Sequence, residues 1–319
     1  MILITGGGGF LGLNIARCFV ERGQKVLIVQ RRPVSCPPLL ADYWESHVVQ
    51  EVGTVQDLPF LLGLIKKHGV ESIVHGAFSS TDLAGGPFTV ADNSLHQLLD
   101  VQVNGSINVF EAARLSELRR VTLLSSGSIY DAAPGEPEDW REDANLPAVT
   151  FAPISNTKKA CEQIGLLYAK TYGMSFVSLR IGLTFGPGST RASDSFLAMI
   201  MGALAGKPTD LSSVPANVQW PLVYSKDVGV GTALVHQAER PRHYIYNLMN
   251  RWTTSMQEFA VIVKSHFPDA QISLGPPAPG ARPAHDVPME RYREEFGFAP
   301  CEIEAGAAAF IEWCRSGRY

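Results

Sequence analysis

The chain has 319 residues, 45% of them apolar and 18% charged, with a formal net charge of −4. This composition describes an ordinary globular protein of one large domain or two modest ones sharing a core, and it leaves no basic footprint for nucleic acid. The five cysteines, Cys18, Cys36, Cys161, Cys301 and Cys314, form no CxxC pair and no cluster with the eight histidines, so no metal site and no disulfide framework are expected.

The first element, MILIT (1–5), is a strand that runs directly into glycines. It has no basic n-region and no long apolar segment, so neither a signal peptide nor a bilayer span is expected, and the expected compartment is the cytoplasm. The next stretch, TGGGGFLG (5–12), opens a helix over Leu11–Arg22. It satisfies GxxGxxG through Gly6, Gly9 and Gly12, and GxGxxG through Gly7, Gly9 and Gly12. Such glycines permit a tight turn and a close backbone approach to a pyrophosphate, and the helix start offers unpaired N–H groups to the anion. A second strand, KVLIVQ (25–30), completes the unit, which reads as a dinucleotide site.

That second strand ends on Gln30, followed by Arg31 and Arg32. A carboxylate at this point would accept hydrogen bonds from the ribose 2′-hydroxyl of NAD and repel a 2′-phosphate. A neutral residue and two guanidiniums instead favour NADP over NAD as the cofactor.

Further strands are expected at SIVHGA (72–77), RVTLLSS (120–126), FVSLRIG (176–182) and YIYNLM (244–249), with an amphipathic helix over Val101–Leu115 among those between them. Near-continuous apolar strands separated by helices imply an α/β fold, a doubly wound Rossmann-type parallel sheet. After Gly182 the chain becomes rich in Pro, Gly and Ser. The expected organisation is a dinucleotide-binding domain over 1–182, to which 222–250 returns, and a smaller, irregular substrate lobe over 183–221 and 251–319.

Six ordered motifs resemble the extended short-chain dehydrogenase/reductase family, also called the NAD-dependent epimerase/dehydratase family. They are the glycine stretch, SIVHGAF (72–78), NGSINVFEAAR (104–114), LLSSGSIYD (123–131), LRIGLTFGPG (179–188) and the pair RPAHD (282–286) with FGFAP (296–300). The resemblance implies cofactor contacts from Gly6, Gly9, Phe10, Leu11 and Gly12, from Gly76, Ala77 and Phe78, and from Asn104. It also implies a serine that hydrogen-bonds a substrate oxygen, here Ser126, and a lysine on the nicotinamide ribose, here Lys158. His75 falls where the family often carries a histidine and reads as structural.

The tyrosine that the resemblance calls for, four residues before the lysine, is Ile154. Sliding the register to Lys159 pairs it with Ser155 and still yields no tyrosine. Isoleucine moves no proton, and general acid–base help is worth about 10²–10⁴ in rate. Tyr130, Asp131 and Lys158 are the candidate substitutes. Sugar-nucleotide members similar to this chain use an asparagine and an arginine near the diphosphate, where this chain has Leu183 and Trp220. Arg282 alone remains from that set of anion contacts. The implied substrate is a small non-nucleotide carbonyl or alcohol, lined by Ile154, Leu183, Trp220 and Arg282. Two functions follow: an NADP-linked oxidoreductase or redox-assisted epimerase, isomerase or lyase, or a redox-silent NADP(H)-binding sensor or scaffold. The partners expected are a small-molecule substrate and a second copy of the chain, with no nucleic acid and no membrane.

Overall fold

The computed structural model describes residues 1–78, 94–131, 139–148, 150, 152–189, 194–281 and 283–317. Its strands are β1 (Ile2–Thr5), β2 (Val26–Gln30), β3 (Val48–Val52), β4 (Ser72–His75), β5 (Arg120–Ser126), β6 (Phe176–Ile181), β7 (Leu183–Phe185), β8 (Thr209–Pro215), β9 (Gln219–Trp220), β10 (Leu222–Tyr224), β11 (Ile245–Leu248), β12 (Thr254–Ser255) and β13 (Ile272–Gly275). The helices are α1 (Phe10–Val20), α2 (Trp44–His47), α3 (Leu58–His68), α4 (Ser94–Leu99), α5 (Gly105–Leu115), α6 (Pro153–Tyr172), α7 (Ser195–Leu204), α8 (Ser225–Gln237), α9 (Met256–His266), α10 (Glu290–Phe296) and α11 (Ile303–Arg315).

Seven strands form one sheet in the order β11-β6-β5-β4-β1-β2-β3, and every pairing in it is parallel. All six strands expected from apolar runs are present. The seventh, β3, escapes a search for apolar runs because VVQEV at the sheet edge is only partly buried. The chain winds outward from β1 in both directions, so the strand order reverses between β1 and β4. In an open parallel sheet, ligands bind at the carboxyl ends of the strands at such a switch point.

Side chains alternate across the sheet and build two cores. Ile2, Ile4, Ile28 and Val74 pack with Ile15 and Phe19 of α1 and with Val228 and Val235 of α8. Leu3, Leu27, Ile73 and Val121 face the other way, toward Leu61 of α3, Phe110 of α5 and Cys161 of α6. The period of two in each strand thus covers the sheet on both faces. A third cluster joins Phe185, Phe196, Leu222, Phe259 and Phe310 beyond the sheet. There β10 pairs with β7, and β13 pairs with β8. Among the described residues no helix is long and apolar enough to cross a membrane.

Candidate active site

The turn after β1 packs backbone against backbone, on β4 below it and on the helix that follows. Gly6 has φ +71, a left-handed conformation that disfavours any side chain, and a Cβ there would lie 2.7 Å from Gly76 O. At Gly12 a Cβ would lie 2.3 Å from Gly6 O and 2.6 Å from Gly7 Cα, so helix and turn touch only because no side chain intervenes. Helix α1 begins behind N-cap Gly9, which offers no side-chain cap. Its first turn, with Phe10, Leu11 and Gly12, therefore keeps N–H groups and the positive end of the helix dipole for an anion. The cradle that a nicotinamide dinucleotide requires is present in these residues.

The floor of the cradle is the end of β4. Thr5 accepts from the backbone of Gly76 and Ala77 through Oγ1, at 3.2 Å each, and meets His75 Nδ1 at 2.7 Å. His75 Nε2 meets Ser106 Oγ at 3.0 Å. Burial, aided by the nearby Lys158 charge, pushes the His75 pKa down to about 3, so the ring is a neutral structural bridge. Phe78 follows, half-buried, at the end of this stretch.

Asn104 is not placed to reach this floor. It is exposed and donates to Asp100 Oδ1 at 2.9 Å. The inward amide is Gln102, buried, which donates to Ala77 O at 3.1 Å. The two lie two residues apart in a π-helical turn, Asp100–Asn104, on roughly opposite sides of it, so when one faces in the other faces out. Spacing held the signal: Gln102, not Asn104, stands three residues before Gly105, where the motif's first asparagine belongs.

Ser126 and Lys158 come together at the carboxyl end of β5. Lys158 is 6% exposed, and its ammonium donates to Leu124 O at 2.8 Å, two residues before the serine. Burial lowers its pKa. Ser126 Oγ lies 2.8 Å from Ser128 Oγ, and Ser155 Oγ donates to Ser128 Oγ at 2.7 Å. Three hydroxyls thus link β5 to the first turn of α6. Ile154 precedes Ser155, behind Pro153 at the helix start, and is half-buried.

Tyr130 must be withdrawn as a proton donor. It is 1% exposed, donates to Asn247 Oδ1 at 2.9 Å and accepts from Arg180 Nη1 at 2.6 Å. Arg180 in turn pairs with Glu162 at 2.8 Å, both fully enclosed. Burial pushes the phenol pKa far up. The tyrosine ties β5 to β6 and β11, and Glu162 answers a buried guanidinium.

On the substrate side, Leu183 is 38% exposed at the start of β7, and Trp220 is half-buried in β9 beside the third core cluster. Arg282 lies outside the described residues. Two side chains in this region escaped the sequence reading. Trp140 packs on Tyr130 with ring centroids 5.0 Å apart, and its ring would lie 3.4 Å from a Cβ on Gly127, between the two serines. His285 stands 5.5 Å from Trp140 with a buried Nε2 that has no hydrogen-bond partner. Trp140 lies in no recognisable motif. His285 lay inside RPAHD, where attention went to the arginine.

A doubly wound sheet, a glycine cradle at its switch point and a serine–lysine pair beside it define a nicotinamide-dinucleotide protein of the short-chain dehydrogenase type. Residues 2–248 match the NAD dependent epimerase/dehydratase family, and the chain belongs to it. A 2-alkyl-3-oxoalkanoate reductase of Stenotrophomonas maltophilia is 32% identical over 196 residues, covering 59% of this chain and about half, 52%, of that protein. Cinnamoyl-CoA reductase 2 of Arabidopsis thaliana is 26% identical over 75% of this chain and 69% of its own. In fold, the chain is similar to the UDP-glucose 4-epimerase of Thermotoga maritima, solved with UDP-glucose, at TM-score 0.82 and 17% identity, with 100% of this chain and 99% of that one covered. It is also similar to the dTDP-glucose 4,6-dehydratase of Bacillus anthracis, solved with NAD, at TM-score 0.79 and 20% identity, covering 99% and 96%.

Proposed function

We propose that the protein is an NAD(P)-dependent oxidoreductase, or a redox-assisted epimerase, isomerase or lyase, acting on a small non-nucleotide carbonyl or alcohol. The observation that carries this is Lys158. A buried lysine whose ammonium donates, among the described residues, one hydrogen bond, to a neutral carbonyl, is costly, and packing alone would favour an apolar residue there. Violations of this kind concentrate at functional sites. Here the ammonium lies behind Ser126, where it can hold a ribose hydroxyl and keep positive charge near a substrate oxygen.

A bound nicotinamide would supply or accept hydride. Gly6, Gly9 and Gly12 with the first turn of α1 would hold the pyrophosphate. Ser126 would donate a hydrogen bond to the substrate oxygen and stabilise charge developing on it. Ser128 and Ser155 would fix the orientation of that serine. Ile154, Leu183, Trp220 and Trp140 would line the substrate side with apolar and aromatic surface. The loss of an amide at 183 and a cation at 220 is why a nucleotide sugar is not the substrate proposed. Charge favours NADP through neutral Gln30 and through Arg31 and Arg32, both exposed. A homodimer belongs to the same proposal, supported by Leu115, Leu167 and Tyr172 exposed on α5 and α6.

The test is turnover of NADH and NADPH against a panel of aldehydes, ketones and small oxo-acids. Ser126→Ala and Lys158→Met should each lower kcat at least ~10²-fold, the scale of one oxyanion or acid–base contact. If both leave an observed activity untouched, the serine–lysine assignment is wrong. If the folded protein binds cofactor but turns over nothing in the panel, the redox-silent sensor that Ile154 favours becomes the better reading.

A further inference from the structure

The rim of the proposed substrate side carries an exposed tryptophan that the fold holds in place. Trp252, just before β12, is 55% exposed. Its backbone is clamped to residues 285–287. Trp252 bridges Asp286 in antiparallel pairing, Val287 N donates to Arg251 O at 2.6 Å, and Thr253 N donates to His285 O at 3.2 Å. His285 N donates back to Thr253 Oγ1 at 3.1 Å. The indole is held as well. Arg251 lies over it, 5.8 Å from the ring centroid, and Asp286 takes that guanidinium with both oxygens, at 2.8 and 3.2 Å. Arg251 and Asp286 cancel each other's charge and cover one side of the ring.

A lone exposed apolar side chain is ordinary. Trp252 is not alone. Strand β12 pairs antiparallel with β9, with Thr254 opposite Trp220. Side chains alternate along an extended chain, so Trp252, two residues before Thr254, shares a face with Trp220 as its diagonal neighbour. Diagonal neighbours stand about 7–8 Å apart. That is about twice the 3.5–4.0 Å at which carbon atoms touch, the width of one flat ring with an indole on each side. Leu183, 38% exposed, adjoins them, because its N–H donates to Pro221 O at 2.9 Å, next to Trp220. The same leucine leads back to the serine. Ser126 pairs with Ile181 across β5 and β6, and Leu183 follows two residues later, about 7 Å further along the chain.

We infer that the substrate is an aryl-substituted carbonyl or alcohol, with its ring held between Trp252 and Trp220, its oxygen at Ser126 and a short chain joining the two. The inference deepens the function proposed above and rests on its placing of this rim on the substrate side. An aromatic ring offers indoles a π face, and stacking adds to what apolar area alone supplies. A saturated ring of the same size offers area only. A phosphorylated or carboxylated tail gains little here, because Arg251 is already matched by Asp286. An indole fixed in advance also loses little freedom when the ring arrives.

Benzylacetone and its cyclohexyl counterpart differ only in the saturation of the ring, so the pair separates stacking from apolar area. Both are titrated by calorimetry into the full chain with NAD or NADP present, where no reduction occurs, and both are assayed for turnover with NADH and NADPH. The phenyl ketone should bind roughly threefold to tenfold more tightly, the scale of one or two stacking contacts, and any turnover should favour it through KM more than through kcat. Trp252→Leu keeps an apolar side chain at the rim without a π face, and should bring the two ketones to within about twofold of each other. Trp252→Phe should keep most of the preference. Circular dichroism confirms that each variant is folded. Native protein that binds the two ketones equally, or binds neither, overturns the inference, and so does a Trp252→Leu protein with the native ratio. Turnover of short aliphatic ketones with no phenyl preference removes this inference and leaves the proposed oxidoreductase standing. A phenyl preference that depends on Trp252, with no turnover of either ketone, upholds the aromatic site and counts against the oxidoreductase.

Discussion

The cofactor cradle and the proposed substrate wall are held to different standards. In the cradle, backbone touches backbone. Gly6, Gly12 and Gly76 each lie where a Cβ would meet another residue at 2.7 Å or less, and Thr5, His75 and Ser106 are buried and mutually hydrogen-bonded. In the wall, Ile154, Leu183 and Trp220 are partly exposed side chains on the rims of elements. The cradle is part of the core and tolerates little change. The proposed wall is only partly buried, so packing constrains it less. A rigid cradle beside a less constrained rim is how one fold can carry many activities.

The largest effect expected from this contrast is on acid stability. Burial holds the pKa of His75, and of His236 on the opposite face, down to about 3. Below about pH 6.5 the unfolded chain takes up protons that the folded chain refuses, so stability falls as pH drops from there toward 3. Each histidine contributes about 1.4 kcal/mol per pH unit over that window. His75→Gln should flatten the slope of unfolding free energy against pH by about that amount, measured by urea denaturation between pH 6 and pH 4. An unchanged slope would mean that the cradle floor is not the closed, dry structure described.

A smaller effect comes from a single methyl group. Gly12→Ala forces a Cβ to within 2.3 Å of Gly6 O. Overpacking of this kind costs about 1–3 kcal/mol, and the shifted turn should also weaken cofactor binding. Gly63→Ala in α3 is the matched control, because a Cβ there meets nothing within 4 Å. It should be neutral or stabilise by up to about 1 kcal/mol through helix propensity. Thermal unfolding of the two variants separates a glycine required by contact from one that is merely present.

The same contrast decides what could be read in the sequence. The sheet was legible because each inner strand is a run of apolar residues, and the cradle because its glycines are demanded by contact. Strand β3 was not, since Gln50 and Glu51 interrupt its pattern. The Asn104 expectation followed a letter where spacing pointed to Gln102. Tyr130 carried a reactive side chain in a motif, but its burial against Arg180 depends on contacts 50 residues apart, which no local pattern encodes. The link from Ser126 through Ser128 to Ser155 likewise joins two elements and exists only in the fold.

The smallest effect on stability, and the most informative for function, should come from Ile154→Tyr. The residue is the second of α6, half-buried, and its neighbour Ser155 reaches Ser128 and through it Ser126. A phenol there adds a polar group at a rim where water or substrate can satisfy it, so stability should stay within about 1 kcal/mol of native. Chemistry should change more. Carbonyl reduction should appear or rise, because a proton donor now stands one residue from the hydroxyl chain that ends on Ser126, the residue proposed to meet the substrate oxygen. General acid help of this kind is worth about 10²–10⁴ in rate. Activity on the native substrate should fall, because in the proposed function isoleucine forms part of the surface the substrate touches. The comparison breaks if Ile154→Tyr unfolds the protein as Gly12→Ala is expected to weaken it. Position 154 would then be core, as tightly specified as the cradle, and the apolar wall would be a packing requirement with no bearing on which substrate is bound.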